Sequence, residues 1–254
     1  MNPVRNKKME KSKKLALVTG AGRGIGEATA HTLLERGYLV ACAYRTSHEG
    51  VLALEKKYPA AFGVHMDIRD RESVKDAIST IRNHFKQSTD ILVNNAGISD
   101  EREFATMTDA DWDAMFQINL RGAFIVSQET LPDMVKKRWG RIVNVVSIGG
   151  QWGGVRQVHY AAAKAGLINF TKSIARLYSQ YGITSNAVSP GLVATNMIQK
   201  EMRSKAGQNK LAQIPIGRIA QPGEIAAAVA FLVSDDASYI TGHTLDVNGG
   251  LLFN

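Results

Sequence analysis

The sequence predicts an α/β fold with a parallel sheet that is covered by helices on both faces. Short apolar runs of strand length alternate with longer stretches of helical spacing almost to the C-terminus, which is the pattern of repeated strand-helix-strand units. The strand runs are apolar at consecutive positions, as in strands buried on both faces. We predict seven strands in one domain at residues 14–254, preceded by a basic arm at residues 1–13 that we expect to be disordered.

The first strand-helix-strand unit sets the pattern for the rest of the chain. An apolar run at residues 15–18 ends before Thr19 and predicts a buried strand. A helix follows, whose apolar residues recur at helical spacing until Gly37 caps its C-terminus, and the next strand covers residues 38–44. The remaining predicted strands lie near residues 61–66, 91–94, 141–146, 183–188 and 244–247.

Capping signals predict the longer helices. Thr108 followed by Asp111 has the pattern of a capping box, and Pro222 suits the first turn of a helix. The stretch at residues 194–219 has weaker patterning and is a candidate flap beside a site. The helices predicted in this way run from Thr108 towards Lys137, over residues 160–180 and from Pro222 to about residue 233.

Composition and charge exclude several classes of protein. The chain has 254 residues, 44% hydrophobic and 21% charged, and no apolar run approaches the roughly 20 residues of a membrane span. Most of the net charge of +8 lies in the N-terminal arm, and no basic-aromatic pattern follows it, so we expect no nucleic-acid partner. The single cysteine, Cys42, forms no internal disulfide, which suits the cytoplasm. The histidines show no metal-ligand spacing, so we expect no metal site.

A glycine-rich turn joins the first strand to the first helix. Residues 19–26 read TGAGRGIG, and glycines let a backbone turn tightly and approach a pyrophosphate at a helix N-terminus. The alternative is a purely structural turn, but the position between strand and helix favours dinucleotide binding. No Lys-Ser or Lys-Thr pair follows the glycines, which disfavours a nucleoside-triphosphate loop.

The end of the second strand indicates which dinucleotide binds. NAD-binding sites place an acidic residue there against the ribose 2′-hydroxyl, whereas this chain has Tyr44, Arg45 and Thr46. Arg45 and Arg23 of the glycine loop can pair with a 2′-phosphate through charge-assisted hydrogen bonds. The alternative is that both arginines are solvated surface residues. We therefore expect NADP(H) rather than NAD(H).

Tyr160 and Lys164 are candidates for acid-base chemistry. They are four residues apart on a predicted helix and so share one face. A nearby ammonium group favours the phenolate, so we expect Lys164 to lower the pKa of Tyr160 towards neutrality. Ser147, at the end of a predicted strand, can place its hydroxyl group beside the same reacting oxygen.

Further motifs follow the strands in a recognisable order. They are Asp67-Ile68, Asn94-Asn95-Ala96-Gly97, Asn119, and Pro190-Gly191 with Thr195. Together with the glycine loop and the Tyr-x-x-x-Lys pair, they resemble the short-chain dehydrogenase/reductase family over nearly the whole chain from Lys14. The resemblance implies a doubly wound Rossmann-type fold with a seven-stranded parallel sheet, and an enzyme that moves a hydride between a nicotinamide and a carbonyl carbon.

The resemblance also implies residue roles. The catalytic tetrad would be Asn119, Ser147, Tyr160 and Lys164: the tyrosine supplies the proton, the serine holds the oxygen, the lysine binds the nicotinamide ribose and the asparagine holds a relay water. Alternatives for single members are that Asp67 caps the next helix and that Asn119 faces solvent. The implied cofactor-binding residues are Gly20, Gly22, Arg23, Gly24, Ile25, Gly26, Tyr44, Arg45, Thr46, Asp67, Ile68, Asn95, Ala96, Gly97, Tyr160, Lys164, Pro190, Gly191, Val193 and Thr195.

Within the family, the C-terminal half resembles the 3-oxoacyl-(acyl-carrier-protein) reductases. The resemblance implies NADPH-dependent reduction of a 3-oxoacyl thioester to a 3-hydroxyacyl thioester, as in fatty acid biosynthesis. An alcohol, sugar or other ketone dehydrogenase and a non-catalytic NADP(H)-binding regulator are the alternatives. The stretches that carry this resemblance are YAAAKAGL at residues 160–167, Gly217-Arg218, and YITG at 239–242 with Asn248-Gly249-Gly250.

The same resemblance suggests partners. Acyl carrier protein docks in that branch on two basic positions, of which Arg138 matches one while Tyr181 occupies the other. A homotetramer is implied, with contacts through the helices at residues 112–135 and 160–180 and through the C-terminal region, where residues 251–253 are apolar.

The segment between Ser147 and Tyr160 is predicted to line the substrate entrance, because it joins the catalytic strand to the catalytic helix. Trp152 offers a hydrophobic wall there and Arg156 an anion contact. The alternatives are a packed loop and a solvated charge.

Overall fold

The computed structural model describes residues 13–195, 209 and 211–253. Seven parallel strands in this part of the chain form one sheet in the order β3-β2-β1-β4-β5-β6-β7. The order reverses between β1 and β4, as in a doubly wound sheet, so the predicted fold class is confirmed. The strands are β1 (Leu15–Thr19), β2 (Leu39–Tyr44), β3 (Ala61–His65), β4 (Ile91–Asn94), β5 (Gly140–Val145), β6 (Ile183–Pro190) and β7 (Thr244–Val247).

Helices cover both faces of the sheet. Along β1, Ala16 and Val18 belong to one apolar cluster with α1 and α8, while Leu15 and Leu17 belong to another with α3 and α5. Successive side chains of a strand point to opposite faces, so the consecutive apolar run reflects burial on both. The helices are α1 (Gly24–Glu35), α2 (Glu49–Lys57), α3 (Arg71–Phe85), α4 (Asp109–Phe116), α5 (Gly122–Lys137), α6 (Gly149–Trp152), α7 (Val158–Tyr178) and α8 (Pro222–Leu232).

The helix predicted from Thr108 towards Lys137 is not regular along its length. The capping box of Thr108 and Asp111 is confirmed, but α4 ends at Phe116 and a π-helical turn at Gln117–Arg121 precedes α5. This turn contains Asn119, whose side-chain amide donates to backbone carbonyls within the fold. Single π-helical turns are frequent at functional sites, and no local spacing signal in the sequence announces this one.

Other element predictions agree with the structure to within a few residues. Strand β3 ends at His65, and α7 begins at Val158, before the predicted residue 160. Residues 1–12 and most of the candidate flap lie outside the described residues, whereas the backbone oxygen of Lys13 accepts a hydrogen bond from Gln87 Nε2 at 3.0 Å. None of the described helices has the length and apolar character that a membrane crossing requires.

Candidate active site

The predicted catalytic side chains meet at the carboxyl edge of the sheet. Ser147 follows β5, and Tyr160 lies in the first turn of α7. A Cβ atom on Gly149 would lie 3.5 Å from Ser147 Oγ and 4.0 Å from Tyr160 Cε1, so the two side chains lie close together. Ser147 Oγ accepts a hydrogen bond from the backbone N–H of Gly149 at 3.1 Å. A Cβ atom on Gly150 would lie 2.8 Å from the backbone nitrogen of Ala165, so only glycine lets the loop after β5 approach α7 this closely.

Lys164 follows Tyr160 by one turn on the same face of α7. Its Nζ is 5.7 Å from the centroid of the Tyr160 ring and donates a hydrogen bond to the backbone oxygen of Val145 at 2.9 Å. The side chain is buried, and burial lowers the pKa of the ammonium group to about 8. The prediction that the two residues share one face is confirmed.

The pKa of Tyr160 moves in the opposite direction to that predicted. Burial raises it, and the hydrogen bond with Ser147, which lowers it, is the smaller effect. The expectation that Lys164 brings this pKa towards neutrality is therefore wrong for the chain itself. The physical reason is that desolvation of the phenolate outweighs an ammonium group that is itself buried and engaged by Val145.

Asn119 is buried beside the same site. Its Nδ2 donates to the backbone oxygens of Ile98 at 2.9 Å and Met115 at 3.1 Å, while its Oδ1 is buried without a hydrogen-bond partner. A Cβ atom on Gly97 would lie 2.7 Å from this Oδ1 and 3.5 Å from Lys164 Nζ. The solvent-facing alternative is thus wrong, and a buried acceptor without a partner beside an ammonium group suits a bound water.

The glycine loop packs against its neighbours at distances that exclude side chains. A Cβ atom on Gly22 would lie 1.8 Å from the backbone oxygen of Ser47, and one on Gly26 would lie 2.2 Å from that of Gly20. Gly20 has a φ of 66°, which favours glycine. The backbone geometry therefore requires the glycines at these positions, and the loop lies against the segment after β2.

The start of α1 is open to an anion. Its N-cap residue, Arg23, makes no side-chain capping hydrogen bond, so no side chain of the described residues caps the first N–H groups of the helix. Asn95 holds the neighbouring β1 turn, because its Nδ2 donates to the backbone oxygens of Thr19 at 2.9 Å and Gly20 at 3.2 Å. These residues fit a dinucleotide whose pyrophosphate lies at the N-terminus of α1.

Asp67 is held by a residue that sequence reasoning missed. The carboxylate accepts hydrogen bonds from both the backbone and the guanidinium group of Arg69, which holds the pKa of Asp67 at about 2. The alternative that Asp67 caps α3 is wrong, since Asp70 is the N-cap and accepts from Glu72 N. The two-residue spacing of Asp67 and Arg69 was a signal for this pair.

The segment after β6 also reaches the glycine loop. A Cβ atom on Gly24 would lie 3.3 Å from Thr195 Cγ2, and one on Gly191 would lie 3.0 Å from the Cα of Asn248. Val193 forms an isolated parallel bridge with Ala220. Thr195 therefore lies next to the predicted pyrophosphate site, whereas the contacts of Gly191 and Val193 are with Asn248 and Ala220.

At the entrance, Trp152 is half-exposed and Arg156 already has partners. The Arg156 Nε atom lies 3.4 Å from carboxylate oxygens of both Glu101 and Glu103. Arg156 therefore forms ion pairs with carboxylates of the same chain. The expectation that it offers a contact to a substrate anion is not supported. Its partners follow β4, and no sequence signal pointed to them.

The chain is similar in sequence to known reductases. A family model described as Enoyl-(Acyl carrier protein) reductase matches residues 20–252. The 3-oxoacyl-(acyl-carrier-protein) reductase FabG of Salmonella typhimurium is 44% identical over 239 residues, covering 94% of this chain and 97% of that protein. The protein of the same name from Escherichia coli K12 is also 44% identical over 239 residues. The one from Aquifex aeolicus is 42% identical over 245 residues, with 94% and 97% covered.

Proposed function

Because the chain belongs to the short-chain dehydrogenase/reductase family, which uses nicotinamide cofactors, we propose that it reduces 3-oxoacyl thioesters to 3-hydroxyacyl thioesters with NADPH. The observation that carries the proposal is the close approach of the Ser147 and Tyr160 side chains around Gly149, with Ser147 acting on the pKa of Tyr160. Such a pair suits the binding and protonation of an oxygen atom, which favours a carbonyl over a carbon-carbon double bond as the reacting group. We assign the activity to residues 14–254 as one catalytic domain.

Each side chain of the site has its own role in the proposed reaction. When bound, NADPH supplies the hydride. Ser147 donates a hydrogen bond to the substrate carbonyl oxygen, and Tyr160 donates its proton to that oxygen. Because burial raises the pKa of Tyr160, its phenol is protonated at neutral pH and ready to donate. Lys164 and Asn119 both approach Gly97. Asn119 Oδ1 holds a water, through which the ammonium group of Lys164 returns a proton to Tyr160 and is itself reprotonated from solvent.

The preference for NADPH is assigned to Arg45 and Arg23. No acidic residue follows β2 to bind a ribose 2′-hydroxyl, and the charge of Arg45 contributes to lowering the pKa of Asp67. The close approach of Gly22 to Ser47 brings the segment after β2 to the glycine loop. Both guanidinium groups thus belong to adjoining segments, where a 2′-phosphate is the ligand that suits them.

Acyl carrier protein is the proposed carrier of the substrate, with Arg138 as its contact. Arg138 Nη2 donates to the backbone oxygen of Gln180 at 2.9 Å, and its guanidinium carbon is 6.0 Å from the centroid of the Tyr181 ring. The two positions matched to docking residues are therefore adjacent in space, although only one is basic.

A homotetramer is part of the same proposal. The faces of α4, α5 and α7 form surface grooves lined by apolar side chains that include Phe124 and Phe170. Leu177 at the end of this face is 59% exposed, and Phe253 at the C-terminus is 83% exposed. Exposed apolar surface of this kind is typical of subunit contacts. Light scattering after size exclusion tests this assembly, and a monomer would contradict it.

The function is tested by following NADPH absorbance with acetoacetyl-CoA, crotonyl-CoA and a panel of unrelated ketones, each repeated with NADH. Turnover of acetoacetyl-CoA with a preference for NADPH is the expected result. Reduction of crotonyl-CoA alone would show that the enzyme reduces a carbon-carbon double bond rather than a carbonyl group. Reduction of the ketones alone would show that 3-oxoacyl thioesters are not its substrates. Tight NADPH binding without any turnover would favour the regulatory alternative.

A further inference from the structure

The catalytic helix α7 begins without the contacts that usually hold a helix N-terminus. Gln157 is the N-cap residue, but its side chain makes no capping hydrogen bond and the first turn contains no acidic residue. Helix ends without such contacts fray more readily than helix interiors. Tyr160 belongs to this first turn, so the position of its hydroxyl group depends on contacts from outside the helix.

The side chain of Gln157 makes such a contact. Its Nε2 donates a partly buried hydrogen bond to Ser99 Oγ at 2.8 Å, across 58 positions of the chain. Ser99 lies in the loop after β4, two residues after Gly97. Both Asn119 Oδ1 and Lys164 Nζ lie close to Gly97. The hydrogen bond therefore joins the helix of the proton donor to the loop that borders the other catalytic groups.

Two further contacts join the same segments nearer the surface. The backbone N–H of Arg102 donates to the backbone oxygen of Arg156 at 2.8 Å, and the Arg156 side chain is paired with Glu101 and Glu103. These charged side chains are 43% to 66% exposed, so each ion pair contributes little. The neutral hydrogen bond between Gln157 and Ser99 is partly buried by comparison.

We propose that Gln157 is a positioning residue for the reduction. Through its hydrogen bond to Ser99, it holds Tyr160 at a fixed position relative to the loop after β4. This rests on the proposed function, in which hydride and proton reach the two atoms of one carbonyl group. Cofactors bind over the carboxyl ends of the strands in this fold, so the loop after β4 borders the hydride donor while α7 carries the proton donor. A misplacement of about 1 Å between reacting groups can cost about 100-fold in rate.

The test is a double-mutant cycle on Gln157→Leu and Ser99→Ala, with kcat, KM and the NADPH Kd measured for each protein. We expect each single variant to lose about tenfold in kcat, the equivalent of one hydrogen bond, with an unchanged NADPH Kd. The double variant should lose no more than either single variant. Gln157→Glu should recover most of the lost kcat, because its carboxylate accepts a hydrogen bond from the Ser99 hydroxyl group.

Gln87→Leu is the matched control. Its Nε2 also donates a hydrogen bond across the fold, to the backbone oxygen of Lys13 at 3.0 Å, but it lies outside the site and should leave kcat unchanged. Additive losses in the double variant would overturn the proposal. So would a lower melting temperature of Gln157→Leu with wild-type kcat per folded molecule, because that combination indicates a purely structural contact.

Hydrogen exchange separates failure of this proposal from failure of the proposed function. If the wild-type protein reduces none of the carbonyl compounds, the proposed function fails, whatever the variants do. The anchoring of α7 is then measured directly: amides of its first turn should exchange faster in Gln157→Leu than in the wild type and in Gln87→Leu. Equal exchange in the three proteins would overturn the anchoring role.

Discussion

Replacing the buried Lys164 by methionine should stabilise the protein and inactivate it. Lys164 is 4% exposed, and burial lowers the pKa of its ammonium group from 10.5 to about 8. The unfolded chain therefore binds this proton more tightly, which costs the folded state about 3 kcal/mol at neutral pH. Methionine has a similar volume and no charge, but it loses the hydrogen bond to Val145 O at 2.9 Å, which contributes about 1 kcal/mol.

The expected net gain is about 2 kcal/mol at neutral pH, or about 4–8 °C in Tm. The cost of the buried charge is complete below the folded pKa of about 8 and disappears as the pH rises towards 10.5, so the gain should shrink over that interval. Turnover should fall by at least about 100-fold, the usual contribution of a positioned proton-transfer group.

Calorimetry on both sides of this pH interval, together with the NADPH assay, measures the two effects. Lys172→Met is the control, since Lys172 is an exposed lysine on the same helix and should leave both Tm and turnover unchanged. The reasoning would be refuted by a Lys164→Met protein that is less stable than the wild type at neutral pH, or by a gain that does not depend on pH.

Three further substitutions test the cofactor site and the proton donor. Tyr160→Phe should reduce turnover by at least about 100-fold with unchanged NADPH binding by fluorescence titration; full turnover would assign the proton to another group. Arg45→Ala should weaken NADPH by about tenfold or more while NADH changes little, because one charge-assisted contact contributes about 1.5–3 kcal/mol; equal losses for the two cofactors would contradict the assignment. Gly22→Ala should lower both Tm and NADPH affinity, since its Cβ would lie 1.8 Å from the backbone oxygen of Ser47. Gly223→Ala, which meets nothing within 4 Å, should instead stabilise α8 by about 0.5–1 kcal/mol.

The elements of this fold and most of its candidate site could be predicted from local patterns. Strands buried on both faces, such as β1, leave consecutive apolar residues in the sequence. The glycine loop and Ser147 follow strand ends, and Tyr160 and Lys164 lie in the first two turns of a helix. Helical spacing alone places Tyr160 and Lys164 on one face. These predictions succeed because each depends on residues that are near one another in the chain.

Contacts between distant segments, and the burial they create, were decided only by the tertiary structure. The π-helical turn at Asn119 was not predicted, because its amide is bonded to Ile98 in another segment. The hydrogen bond between Gln157 and Ser99 spans 58 positions, a distance over which spacing carries no information. The direction of the Tyr160 pKa was predicted wrongly from the neighbouring lysine, because desolvation depends on all the atoms packed around a group rather than on its sequence neighbours.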